Sequence, residues 1–76
     1  MKPLSELKVG EKGFVLSIQD DFLEQQLLEM GVTPGKEIEV ERISPLFDPI
    51  AVVVANLLLS IRLSDAKKII INFDND

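Results

Sequence analysis

Within five residues, Gly31-Val32-Thr33-Pro34-Gly35, this chain carries both a helix stop and a tight turn. A glycine after a helix takes the left-handed conformation without a Cβ clash, and Val32 stands where a Schellman stop makes its hydrophobic contact. Pro34 pre-sets φ and Gly35 tolerates a positive φ, which fits the two central positions of a type II turn. Whatever precedes this joint must therefore be a helix that ends at Met30, and whatever follows starts in a new direction. Asp20 or Asp21 can cap the helix at its start, and Leu23, Leu27 and Met30 recur at i, i+4, i+7 as one apolar stripe. Glu24 and Glu29 are left facing water. On a small domain such a stripe serves the core rather than a recognition surface.

The other segments are short and rich in β-formers. Gly13–Gln19 reads as a first strand, bounded by Gly13 and by Asp20 and Asp21. Glu37–Ile43 opens with strict alternation, which puts Ile38 and Val40 inward and leaves a charged outer row. Ser44-Pro45-Leu46-Phe47-Asp48-Pro49 is a loop stiffened by two prolines, in which Asp48 is expected to stabilise its own turn. Ile50–Val54 and Leu57–Leu63 read as strands joined by Ala55-Asn56, a two-residue turn in which Asn tolerates φ > 0. That turn opposes 54 to 57, 53 to 58, 52 to 59 and 50 to 61. Ile50, Val52, Val54, Leu57, Leu59 and Ile61 then point inward, and Ala51, Val53, Leu58 and Ser60 outward. Ser64–Lys68 reads as a turn and Ile69–Phe73 as a last strand, and the acidic end Asp74-Asn75-Asp76 is expected to fray. Near the N-terminus, Leu4 and Leu7 suit one helical turn that lids the core, with Gly10 free to take a positive φ after it.

A chain of 76 residues builds one domain, 1–76, around one small core. About five short strands with one α-helix between the first two describe a mainly β fold. Closing the sheet into a partly open β-barrel, of SH3-like or OB-like type, hides its edges. The expected core is Leu7, Ile18, Leu27, Met30, Ile38, Val40, Val52, Leu59 and Ile61.

The chain has no Cys and no His, which excludes disulfides, thiolate nucleophiles, imidazole bases and Cys/His metal sites. It has no phosphate-binding Gly-rich loop and no Gly-x-Ser-x-Gly, so no catalytic residue, cofactor cradle or metal ligand is assigned and the chain is not expected to be an enzyme. Asp20-Asp21 and Asp74 with Asp76 read as caps and solvated tail rather than as cation ligands. A net charge of −5 repels phosphate backbones and anionic lipid, so nucleic acid is not an expected partner. The longest apolar run, Ile50–Leu59, is interrupted at Asn56 and is roughly half the length of a spanning helix. With no apolar h-region at the start either, direct membrane insertion is not expected and a cytoplasmic location is. With neither Tyr nor Trp, a polyproline-binding groove is excluded as well. What remains is a protein-interaction module.

Leu4-x-x-Leu7-x-x-Gly10, Leu27-x-x-Met30-Gly31-Val32-x-Pro34-Gly35, Pro45-x-x-Asp48-Pro49-Ile50, Leu59-x-Ile61-Arg62 and Ala66-x-x-Ile69 follow one another along the chain. In order and spacing they resemble the FeoA family of bacterial ferrous iron transport, over nearly the whole length from Leu4 to Ile71. Two positions depart from that pattern. Gln25 and Gln26 stand on a helix face where such proteins commonly carry Arg or Lys, so a basic docking face is not expected. Asn56 stands where the family usually has Gly, which it can replace at a positive φ. The resemblance implies an SH3-like barrel and a small cytosolic accessory to the membrane transporter FeoB. A second reading is a module resembling the SH3-like C-terminal domain of iron- and manganese-dependent repressors. That reading expects a winged helix upstream, which a chain starting at Met1 is not expected to contain. A third, a carboxylate-based Fe²⁺ carrier, is disfavoured because useful divalent iron sites normally recruit imidazole or thiolate. The isolated protein is expected to hold no Fe²⁺, zinc or nucleotide tightly.

The candidate partner-binding residues are Leu46, Phe47, Val53, Leu58 and Arg62. Val53 and Leu58 oppose each other on the face of the hairpin that should be polar, and with Leu46 and Phe47 they would form an apolar patch. Exposed, the patch would serve transporter docking or self-association into a homo-oligomer. Alternatively, the helix or the N-terminal turn covers it. Arg62 either meets a partner's carboxylate or makes an ordinary surface pair.

Overall fold

In the computed structural model, which describes residues 1–73, the joint after the helix is built as its residues require. Helix α1 spans Asp21–Glu29, and Asp20 caps it by accepting the Leu23 N–H at 2.9 Å. At its end the Val32 N–H donates to Leu27 O at 2.8 Å and the Gly31 N–H to Leu28 O at 3.0 Å, the two bonds of a Schellman stop. The Lys36 N–H then donates to Thr33 O across Pro34-Gly35, with Gly35 at φ 94°. This fold-back decides which side chains complete the core. Leu23 and Leu27 are buried, but Val32 is brought in beside them at 1% exposed, and Met30, expected in the core, is left 44% exposed.

Among the described residues six strands form one antiparallel sheet. They are β1 (Lys2–Pro3), β2 (Lys12–Ile18), β3 (Glu37–Ile43), β4 (Ile50–Val54), β5 (Leu57–Ile61) and β6 (Ile69–Asn72), in the order β1-β6-β2-β3-β4-β5. The architecture is mainly β with one principal helix, as expected, and the added strand is β1, two residues long and paired with β6. A 3₁₀ turn at Leu4–Glu6 follows β1, and Leu4 and Leu7 are both buried. Strand β5 stops at Ile61, and the segment read as a turn holds a one-turn helix, α2 (Leu63–Ala66), whose Ala66 is fully buried. Helix α2 packs against the Leu4–Glu6 turn, so the elements that follow the two border strands meet and the open sheet curls over its core.

Two β-bulges set the phase of the central strands. Register shifts between Val15 and Ser17 in β2, and between Val40 and Arg42 in β3. The extra residue in β2 lets Val15 and Ile18 both be buried while Leu16 is 41% exposed. The extra residue in β3 turns Arg42 to the outer face, opposite Ala51, and Ile43 toward the core. Strict alternation from Ile38 would have done the reverse.

The hairpin register agrees with expectation at every pair, from Ile50↔Ile61 through Val53↔Leu58 to Val54↔Leu57. Ala55 at φ 52° and Asn56 at φ 66° both lie in the left-handed region, as a type I′ turn requires. Because β5 borders the sheet, its inward row is covered only in part. Ile61 is buried, Leu59 packs half-buried against the core, and Leu57 is 52% exposed, so the last two are not the core residues that alternation implied. Leu7, Ile18, Leu27, Ile38, Val40, Val52 and Ile61 are buried, as expected. The acidic end, Asp74–Asp76, lies outside the described residues.

Candidate functional site

The loop before β4 carries its apolar residues outward. A tight, non-helical turn at Pro45–Phe47 puts Leu46 at φ 67° and Phe47 at φ 63°, and these side chains are 89% and 65% exposed. Left-handed backbone at two large L-residues costs on the order of 1–3 kcal/mol each, so the surrounding bonds must hold it. The Phe47 N–H donates to Ser44 O at 2.9 Å and the Ser44 N–H to Pro49 O at 3.2 Å. Asp48 was expected to serve its own turn. Instead its Oδ1 accepts the Leu63 N–H at 3.0 Å and ties the loop to the start of α2. Arg62, beside that contact, donates to Asp65 Oδ2 at 3.3 Å with its side chain 76% exposed.

Val53 and Leu58 oppose each other on the outer face of the hairpin, with Val53 half-buried and Leu58 63% exposed. Neither α1 nor the N-terminal turn closes over Leu58. The five candidate residues fall into two places. Leu46, Phe47 and Arg62 sit at the Ile50–Ile61 end of the hairpin, while Val53 and Leu58 lie three residues further along, about 10 Å away at the rise of a strand. Val53 borders a groove with Lys36, Glu37, Glu39, Ala55 and Asn56. Leu58 borders another with Arg42, Ser44, Pro49, Ala51 and Ser60.

Arg42 is the charged residue of that second groove, and sequence reasoning missed it because only the bulge in β3 brings it there. The other polar feature is Asp20, whose Oδ2 lies 3.3 Å from Lys68 Nζ. The Leu23 N–H and the Lys68 ammonium hold its carboxyl below the ordinary carboxylate range. Among the described residues no polar or charged side chain is buried, and no group of three or more His, Cys, Asp or Glu is placed to hold a metal ion. No helix of the described residues is long and apolar enough to cross a membrane. What this surface offers is apolar contact area, the cations Lys36 and Arg42 and a strand edge.

A family model described as the FeoA domain matches residues 2–72. The chain belongs to the FeoA family. The Fe(2+) transport protein A/Fe(2+) transporter FeoB fusion protein of Porphyromonas gingivalis is 34% identical over 67 residues, which cover 87% of this chain. This FeoA domain spans only 8% of that fusion protein's length. The solution structure of FeoA from Chlorobium tepidum superposes with a TM-score of 0.87 at 33% identity, over 93% of this chain and 69% of that one. FeoA of Stenotrophomonas maltophilia, a zinc complex described as an SH3 domain protein, gives 0.82 at 28% identity, over 95% and 91%. The SH3-like fold and the family are thus those that the motifs implied. A manganese-dependent transcriptional repressor shares the fold alone, with a TM-score of 0.82 at 16% identity, over 95% of this chain and 41% of that one.

Proposed function

We propose that this domain serves ferrous iron transport as an accessory that docks on a FeoB-type transporter from the cytoplasmic side, through the outer face of the β4–β5 hairpin and without a reaction of its own. The observation that carries this reading is the relative in which Fe(2+) transport protein A and the FeoB transporter are one polypeptide. Joining two domains raises their effective concentration for one another, an arrangement that suits partners that work in contact. The exposed Leu58, opposite Val53 on a face that alternation would make polar, supplies apolar contact area for such a partner. The likeness to the repressors is one of fold and favours no second reading.

Val53→Lys combined with Leu58→Glu tests it. The pair replaces an outer-face apolar contact by a cross-strand ion pair, so circular dichroism should match wild type. Capture of the detergent-solubilised transporter should fall by about tenfold or more, the loss of a central anchor contributing ~2 kcal/mol. A folded variant that still captures the transporter normally would remove the hairpin face from the contact. Failure of the wild-type protein to capture it would remove the docking reading.

A further inference from the structure

The bulge at Glu41 brings a cation to the outer face of the hairpin. It turns Arg42 outward, directly opposite Ala51, and Ala51 is directly opposite Ser60. Arg42 and Ser44 thus form one wall of a groove, Leu58 and Ser60 the other, with Ala51 and Pro49 between them as its floor. Of the other cations, Lys2 meets Glu11, Arg62 meets Asp65 and Lys68 meets Asp20, while Lys36 shares its groove with Glu37 and Glu39. No acidic side chain lines the groove of Arg42. Among the described residues its guanidinium makes no ion pair or hydrogen bond, and neither do the hydroxyls of Ser44 and Ser60.

The dimensions of the groove decide what can neutralise that charge. Its volume is about 170 Å³, below the roughly 300–1,000 Å³ of a small-molecule pocket, so it suits one inserted side chain rather than a free ligand. Its walls stand two strand spacings, about 10 Å, apart, and Ala51 lies midway. A carboxylate resting over the Ala51 methyl is one spacing, about 5 Å, from the strand of Arg42, within the combined reach of the arginine stem and a charge-assisted hydrogen bond of about 2.8 Å. The Ser60 hydroxyl can donate to the same carboxylate from the opposite wall. Along β4 the next outward position is Val53, roughly 7 Å from Ala51 and opposite Leu58. An acid seated here therefore has apolar surface at a fixed distance beside it. Polyanions are a poor match, since the net charge of −5 repels phosphate backbones and anionic lipid, whereas a single carboxylate meets only the local cation.

We propose that the notch between Arg42 and Ser60 is a socket for one acidic side chain of the partner protein. The partner presents that Asp or Glu about 7 Å from an apolar side chain, which lies on Val53 and Leu58. The inference rests on the docking reading above and adds the charge that the partner's contact must carry. Arg42 supplies the guanidinium fork, and the small Ala51 leaves the carboxylate room to reach it.

The test pairs capture of the detergent-solubilised transporter with a titration of the full ¹⁵N-labelled chain. Arg42→Gln should weaken capture about three- to tenfold and Arg42→Glu by about tenfold or more, as expected when one partner of an interfacial charge pair is lost or reversed. Arg42→Lys, which keeps the charge and loses the fork, should fall between wild type and Arg42→Gln. Ala51→Leu fills the floor without altering charge and should weaken capture as much as Arg42→Gln does. Lys8→Glu makes the same change in net charge as Arg42→Glu at a distant exposed site and should capture as wild type does. Circular dichroism should match wild type for each variant. In the titration, the blocked peptide Thr-Leu-Thr-Glu-Thr should shift the Arg42 Nε–H resonance and the amides of Ala51 and Ser60, and its Gln counterpart should not. Absence of those shifts with about 20 mM acidic peptide overturns the proposal, as do equal shifts with the Gln peptide or with inorganic phosphate. Equal loss of capture in Lys8→Glu and Arg42→Glu, or normal capture by Ala51→Leu, overturns it too. If wild type and Arg42→Gln capture the transporter equally, the docking reading stands and the socket falls. If wild type captures no transporter yet the acidic peptide binds at Arg42, the socket stands and the transporter is the wrong partner.

Discussion

Gly13 sits buried in β2, opposite Ile38 of β3 on one side and against β6 on the other. A Cβ added there would stand 2.6 Å from Ile71 Cγ2 and 2.9 Å from the Asn72 carbonyl oxygen. Neither neighbour yields cheaply, because Ile71 is fully buried and Asn72 is the ladder partner of Phe14. The φ of Gly13 lies outside the left-handed region, so space and not backbone strain sets the penalty. Forcing one methyl into a packed site costs about 1–3 kcal/mol. Alanine recovers about 0.4–1 kcal/mol by restricting the unfolded chain. Gly13→Ala should therefore destabilise by about 1–2 kcal/mol, against a total of roughly 4–11 kcal/mol for a domain of this size. In urea the midpoint should fall at constant m, and the melting temperature should drop by about 5–15 °C. A variant as stable as wild type, or more so, would mean that β2 and β6 do not approach as closely as described, and the packing argument would fail.

Leu27→Ala should lose about 2–5 kcal/mol and Met30→Ala less than about 0.5, since Leu27 is 1% and Met30 44% exposed; the reverse ranking in denaturant unfolding would reject the helix register. Ala55→Asn with Asn56→Gly supplies the residues that a type I′ turn prefers and relieves a left-handed alanine, so the melting temperature should rise, by the equivalent of about 0.5–1.5 kcal/mol. A fall would contradict the turn type. The carboxyl of Asp20 is held low by the Leu23 N–H and by Lys68, so the stability it contributes is present above the unfolded value of about 3.9 and is lost as pH falls through the depressed folded value. The stability gap between wild type and Asp20→Ala should therefore close on acidification from pH 5 toward about 2, and a constant gap would show that the charge of Asp20 is irrelevant.

The parts of this fold that were legible in the sequence are those governed by local backbone chemistry. Asp20, Gly31 and Pro34-Gly35 each satisfy a conformational demand within a few residues, and the helix and turn stand where they require. The hairpin register was legible for the same reason, because a two-residue turn leaves only one pairing. The bulges at Leu16 and at Glu41 were not, since one extra residue stabilises nothing locally and is imposed by the partner strands. Arg42 was missed with them. Leu57 and Leu59 read as core because alternation reports which way a side chain points and not whether anything lies over it. Leu46 and Phe47 read as neighbours of Leu58 because chain proximity says little about the distance along a strand.

The ladder between β1 and β6 has a mechanical consequence. Lys2 pairs with Ile71 and Pro3 with Ile70, so both ends of the described chain load the same border of the sheet, and they load it from the same end of the ladder. Tension applied across them peels β1 from β6 one bond at a time, the weakest geometry for resisting force, and then strips β6 from β2. The β4–β5 hairpin, at the far side of the strand order, feels the pull last. A pull on either end of this domain is taken up by fraying that border while the hairpin keeps its pairing.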